Sequence, residues 1–208
     1  MSSFSIIHPK DDADAIQASD WLDDLVNDFK GNGHSLADDV LDATPADAVN
    51  ILAALGSGIR LVCYFGHGDE DSFLTNGSPT VDVKTIKVSK GAAVVAIACK
   101  TANNLGPAAI TAGADAWLGF TISVPVVARH KTRDPIGEAI VRGLSGLRNG
   151  DTMQQVRDAL WNELDDLVRD YDAKGKYHTH PYRWQIYYGS MAIRDHLALH
   201  GNSSCVPL

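Results

Sequence analysis

Short runs of apolar residues alternate with longer segments in which apolar residues recur every third or fourth position, dividing the chain into strands and helices. Phe4 to His8 (FSIIH) predicts an opening strand. From Asp14 to Phe29, residues Ile16, Trp21, Leu22, Leu25, Val26 and Phe29 keep helical spacing. The early acids suit a helix N-terminus, and Gly31 to Gly33 ends the helix. Leu36 to Leu41 is read as a short strand. Thr44-Pro45-Ala46-Asp47 is read as the N-cap, first-turn proline and acid of a helix running to Leu55. Ile59 to Phe65 (IRLVCYF) is a strand ending at Gly66-His67-Gly68, and residues 69 to 90 form a polar excursion with a hairpin around Val81 to Val88. Ala92 to Ala98 is wholly apolar, as in a central parallel strand buried on both faces, and Cys99 sits at its end. A helix from Thr101 to Ala112 and a strand from Ala116 to Phe120 follow. Helices over Pro135 to Leu147 and Thr152 to Asp170, then a closing strand from Trp184 to Tyr188, complete the pattern.

Such alternation predicts a three-layer α/β/α sandwich around a mostly parallel sheet. The 208 residues suffice for a single domain, 1–208, and no repeat or linker divides them. Hydrophobic residues make up 45% and charged residues 21%, which excludes a disordered chain. A net charge of −8, with no basic run and no aromatic–basic interleaving, argues against nucleic acid and anionic membrane as partners. The stretch Leu105 to Ala128 carries one charge, Asp115, but its glycines and prolines and that central acid fit a buried helix and strand better than a membrane span. Three cysteines, Cys63, Cys99 and Cys205, without CxxC spacing, argue against a disulfide framework or a zinc site. With no signal peptide in MSSFSIIHPKDDADA, the expected setting is cytoplasmic.

In open α/β sheets, function gathers at the carboxyl ends of the strands. Here two strand ends carry chemistry: one delivers His67, the other Cys99. A cysteine nucleophile needs a base and hydrogen-bond donors for the oxyanion it generates. His67 supplies the base, with flanking glycines that let the backbone turn. The amides of Gly68 and Cys99 are the expected donors, aided by a helix starting just after Cys99. Each residue also has a plain reading: a histidine between glycines as a turn residue, a cysteine after an apolar strand as core. Cys63 is read as core and Cys205 as part of an exposed tail. His178-Thr179-His180 lacks an acid or cysteine at ligand spacing, so no metal and no cofactor is expected. Asp11, Asp12 and Asp14 are read as a solvated helix start that could border the cleft.

YFGHGDED (Tyr64 to Asp71) and VVAIACKTANNLGPAAITAGADAWLGF (Val94 to Phe120) resemble the CHAT-type caspase-like cysteine proteases. The shared scheme is a strand and GHG loop, then an apolar strand ending in Ala98-Cys99 with Thr101 following, then a helix leading to Ala112-Gly113-Ala114. The likeness extends over Ile59 to Gly189. It implies a caspase-like fold, His67 and Cys99 as a catalytic dyad, and Gly68 and Cys99 amides as the oxyanion hole. It departs from caspases proper, which place Gln-Ala-Cys at the nucleophile where this chain has Ile97-Ala98-Cys99. The helical sensor repeats that often accompany CHAT domains do not occur in this sequence, so a separate sensor or activator protein is implied.

The resulting expectation is a cysteine endopeptidase that cleaves a specific protein partner. The family setting is bacterial defence, including activation of a gasdermin-like pore former. The alternative is a catalytically silent scaffold or binding module on the same fold, and a flavodoxin-like binding module is disfavoured by the acids after the GHG loop. A third acid is not expected to be needed, although Asp69, Glu70 and Asp71 could orient the loop or tune the imidazole. Ile97 is expected to line the pocket for the side chain before the cut. Thr121, Ile122 and Ser123 are expected to pair with an extended substrate. An apolar wall predicts a small or apolar residue there, unless an acid from segment 11–14 reaches the pocket.

Overall fold

The computed structural model describes residues 2–40, 59–86, 91–127 and 134–208. Its centre is a six-stranded sheet formed by β1 (Ser3–Ile7), β2 (Ser35–Val40), β3 (Ile59–Phe65), β7 (Ala93–Ile97), β8 (Ala116–Phe120) and β9 (Leu197–Gly201). The order is β2-β1-β3-β7-β8-β9, parallel throughout except for β9, which pairs antiparallel with β8. Three further strands, β4 (His67–Gly68), β5 (Ser72–Thr75) and β6 (Ser78–Asp82), form a small antiparallel sheet. The helices are α1 (Ala13–Gly31), α2 (Leu105–Thr111), α3 (Pro135–Leu144), α4 (Met153–Tyr171) and α5 (Arg183–Asp195). The α/β/α expectation holds.

Strand alternation divides the core into two layers. Leu61, Cys63 and Phe65 of β3 and Ala93, Val95 and Ile97 of β7 pack with Trp21, Leu22 and Leu25 of α1 and with residues of α3, α4 and α5. Val62 and Tyr64, with Val94 and Ala96, face the other way, against Phe73, Val81, Leu105 and Trp117. Asp12 caps α1, its carboxylate accepting from the amides of Asp14 and Ala15. Asp134 caps α3 ahead of Pro135, and a Thr152–Gln155 capping box starts α4.

Four boundaries differ from the sequence reading. Trp184 to Tyr188 is helix, not strand: it belongs to α5, whose buried residues Ile186, Ser190 and Ile193 keep helical spacing. The aromatic run favours a strand only where a sheet face receives it. The closing strand is β9, further along the chain. The hairpin observed is β5–β6; of the expected span, Val81 and Asp82 end β6, residues 83–86 form a turn, and residues 87 and 88 lie outside the described residues. The helix expected over Thr101 to Ala112 shortens to α2, and residues 98–104 before it are turns and bends. The predicted helix to Leu55 lies outside the described residues.

Candidate active site

β3 and β7 are neighbours, in register from Leu61 opposite Ala93 to Phe65 opposite Ile97. The chain therefore leaves both strands at one level, into Gly66-His67-Gly68 on one side and Ala98-Cys99 on the other. The Gly66 amide donates to the Ile97 carbonyl at 3.2 Å. Neither Gly66 nor Gly68 has positive φ, so the turning freedom expected of them is not used. Gly68 is needed for close approach instead. A Cβ there would lie 2.6 Å from the Thr101 methyl and 3.1 Å from the Cys99 carbonyl oxygen. Beneath this loop the Tyr64 hydroxyl shares its single proton between the His67 carbonyl at 2.7 Å and the Leu74 carbonyl at 2.9 Å. On the other side, Lys100 adopts a left-handed φ of 59°, unusual for a residue with a side chain, and turns the chain immediately after Cys99. Its amide donates to the Ile122 carbonyl at 2.9 Å, and the Val124 amide donates to Cys99 Sγ at 3.4 Å.

His67 and Cys99 line one cavity of about 160 Å³, with Gly66, Ile97, Val124 and Val126. Ile97 lines this cavity beside Cys99. α1 supplies the remaining wall through Asp14, Ala15, Ala18 and Trp21. An acid of the 11–14 segment, Asp14, is thus among the residues that line the same cavity as the cysteine.

A second acid touches the imidazole. Asp12 Oδ2 lies 2.8 Å from His67 Nε2. An ionised carboxylate can only accept, so this bond places the ring proton on Nε2 and leaves the Nδ1 lone pair as the basic site. The Ala15 amide, and after it the His67 imidazole, hold the Asp12 carboxyl below its ordinary value of 3.8, against the opposing effect of partial burial. Asp69, Glu70 and Asp71 are the acids the sequence offers to the imidazole, but the carboxylate that contacts it is Asp12. The partner was hidden because it follows β1, which is distant in sequence but neighbours β3 in the sheet. Donor atoms of Asp11, Asp12 and His67 fall within 4.8 Å of one another. The cap, the imidazole contact and the Asp11 bond to the Asn76 amide account for that grouping.

Asp69 and Asp71 serve the loop, not the ring. Asp69 Oδ1 accepts from the amides of Asp71 and Ser72, and Asp71 Oδ1 accepts from the Asn104 side chain at 2.9 Å. The Glu70 carbonyl accepts from the amides of Asn104 and Leu105. Because α2 begins only at Leu105, its N-terminus does not lie at Cys99 as the sequence reading had it. Among the substrate-pairing residues, Thr121 donates its amide to the His196 carbonyl and its own carbonyl accepts from Asn103. The Ile122 carbonyl is held by Lys100, and Val124 and Val126, just past Ser123, are the ones that line the cavity.

The other cysteines are poorly suited to attack. Burial pushes the Cys63 thiol up to about 12 and also raises Cys205. His178 and His180 make local turn bonds, to the Gly175 carbonyl and from the Tyr182 amide. Among the described residues no helix is long and apolar enough to cross a membrane.

The α/β fold thus carries a histidine and a cysteine on the ends of adjacent parallel strands, beside one cavity, and these are the residue types from which a cysteine peptidase builds its nucleophile and base. The sequence model of Peptidase family C25 matches residues 10–189, and the chain belongs to that family. It is a family of cysteine peptidases, so the coarser part of the expected activity stands. No curated protein gives a match.

Proposed function

We propose that the chain is a cysteine endopeptidase in which Cys99 attacks, His67 moves the proton and Asp12 orients His67. The observation that carries this reading is the single cavity shared by His67 and Cys99, with Asp12 2.8 Å from the imidazole. His67 Nδ1 takes the thiol proton, and the thiolate adds to the scissile carbonyl. The developing oxyanion falls to the amides of Gly68 and Cys99. Nδ1 then returns the proton to the leaving amine, and water hydrolyses the thioester.

Asp14 beside Ile97 and Cys99 favours a basic side chain before the cut, since a buried cation paired with a carboxylate avoids the cost of an unpaired one. This is the exception that the apolar-wall expectation allowed for an acid of segment 11–14. The likeness of Ile59 to Gly189 to CHAT-type proteases supports a finer setting: a peptidase domain acting in the cytoplasm on one chosen protein, such as a gasdermin-like pore former in bacterial defence, under a sensor or activator.

An electrophilic peptide with arginine before its warhead should label Cys99 well ahead of Cys63 and Cys205, read by mass spectrometry. Cys99→Ala and His67→Ala should each abolish cleavage of an arginine-containing peptide library while melting near the wild-type temperature. A folded, fully active Cys99→Ala protein would end the peptidase reading of this site. A wild type that leaves Cys99 unlabelled would instead favour the silent scaffold. Clear preference for apolar residues in the library would remove Asp14 from substrate recognition.

A further inference from the structure

Four of the chain's six tyrosines, Tyr177, Tyr182, Tyr187 and Tyr188, fall within twelve residues, and Trp184 lies among them. Between Asp172 and Asp195 the chain carries Lys174, Lys176, Arg183 and Arg194 and no aspartate or glutamate, in a protein of net charge −8. The segment does interleave cations with aromatics, contrary to the sequence reading above. The structure leaves these rings outside. Tyr182 and Trp184 are 50% exposed and Tyr188 55%, and with Tyr177 they make up most of the exposed large apolar side chains among the described residues.

The face is also ordered. Trp184 and Tyr188, one turn apart on α5, stack with centroids 5.7 Å apart, and the Arg183 guanidinium lies 3.9 Å from the Trp184 ring centroid. The Lys176 ammonium sits 4.7 Å from the Tyr177 centroid. Arg183 is fixed further by bonds to the carbonyls of Tyr171 and His178. Ordered tyrosine, tryptophan and arginine side chains lose little freedom on binding, and they are the residues enriched at the energetic centres of protein interfaces.

The surface adjoins the cleft. α5 packs through Gly189 against Pro125, where a Cβ would come within 3.0 Å of the proline ring, and through buried Ile186 into the core. Pro125 lies between Val124 and Val126, both of which line the cavity with Cys99. A ligand seated on α5 is therefore one chain segment away from the nucleophile.

We infer that the exposed aromatic and cationic face formed by residues 174–188 is a docking site for an acidic segment of the protein substrate. This rests on the peptidase reading. Charge complementarity selects the occupant. Lys174 and Arg183, with Lys176 beside Asp170, act over about 8 Å at physiological salt, within reach of a short acidic peptide laid on the exposed rings. A long polyanion or an anionic bilayer would also meet the remainder of a molecule whose acids outnumber its bases, 26 to 18.

Two reporter peptides test this: a short fluorogenic peptide with arginine before the scissile bond, and the same peptide joined to a Glu-Asp-Glu-Tyr tail. A Gly-Ser linker of about ten residues gives the tail a reach of roughly 17 Å. The tail should lower KM about tenfold at unchanged kcat, the worth of one or two interfacial anchors, and added salt should reduce the gain. Trp184→Ala/Tyr188→Ala and Lys174→Glu/Lys176→Glu should each lose the gain while cleaving the untailed reporter at the wild-type rate. In Cys99→Ala protein, a fluorescent copy of the tail should bind and be released by the same substitutions. If no reporter is cut but the labelled tail still binds at this face, the docking site stands and the peptidase reading falls. If reporters are cut but the tail gives no gain, or the variants keep it, the docking site is overturned. Tighter binding at this face of a twenty-nucleotide oligo(dT) or of phosphatidylserine vesicles, lost in the same variants, would also overturn it.

Discussion

At the scale of single residues, Asp12 carries two duties with one carboxylate. One oxygen caps α1 by accepting from the amides of Asp14 and Ala15; the other holds His67. Asp12→Asn keeps much of the cap, because asparagine is an equally good N-cap residue, but it removes the charge that fixes the imidazole. Turnover should fall on the order of a hundredfold, the lower end of what a positioned acid–base group contributes, with KM little changed. The same carboxyl links stability to pH. Its folded value is depressed, so its stabilisation is present above the ordinary value of 3.8 and is lost as pH falls through the lower folded value. Thermal melts of wild type and Asp12→Asn should therefore differ near neutrality and converge in acid. The difference should be modest, because the group is largely exposed. An unchanged turnover in the variant would return the site to a simple His67–Cys99 pair.

At the scale of elements, the His67 loop depends on an aromatic stack that no local pattern announces. Tyr64 of β3, Phe73 of β5 and Trp117 of β8 stack in series, with centroids 3.8 Å and 5.6 Å apart. Phe73 pairs opposite Gly68 across β4 and β5, so this stack supports the strand that carries the imidazole. Phe73→Ala should cost about 3–5 kcal/mol, as expected for a fully buried aromatic. It should also lower peptide turnover in the fraction that remains folded, measured by denaturant unfolding alongside kinetics. Loss of stability with full turnover would show that the loop holds itself. The misreading of Trp184 to Tyr188 belongs to this scale as well. The aromatic-rich run alone fits a strand, whereas the helical repeat becomes visible only when Ser190 and Ile193 are included.

At the scale of the whole molecule, β1 lies between β2 and β3, so the chain diverges there and a cleft opens at the carboxyl ends. That divergence brings Asp12 and Asp14 from the start of the chain against His67 and Cys99. The sheet should also be unevenly stable. β3 and β7 are paired on both sides and buried from Leu61 to Phe65 and from Ala93 to Ile97, while β2 forms an edge with alternately exposed residues. Native-state hydrogen exchange should find the slowest amides in β3 and β7 and the fastest strand amides in β2. Equal protection across the sheet would contradict this order. The run IRLVCYF, apolar from Leu61 onward, and the run AAVVAIA determined the two central strands, because consecutive apolar residues can be satisfied only between two packed layers. With them came His67 and Cys99 at the strand ends, since those neighbours are fixed by covalent order. The acids of the site could not be read this way. A carboxylate at a helix start looks the same in sequence whether it faces water or an imidazole, and here only the pairing of β1 with β3, from distant parts of the chain, decided which.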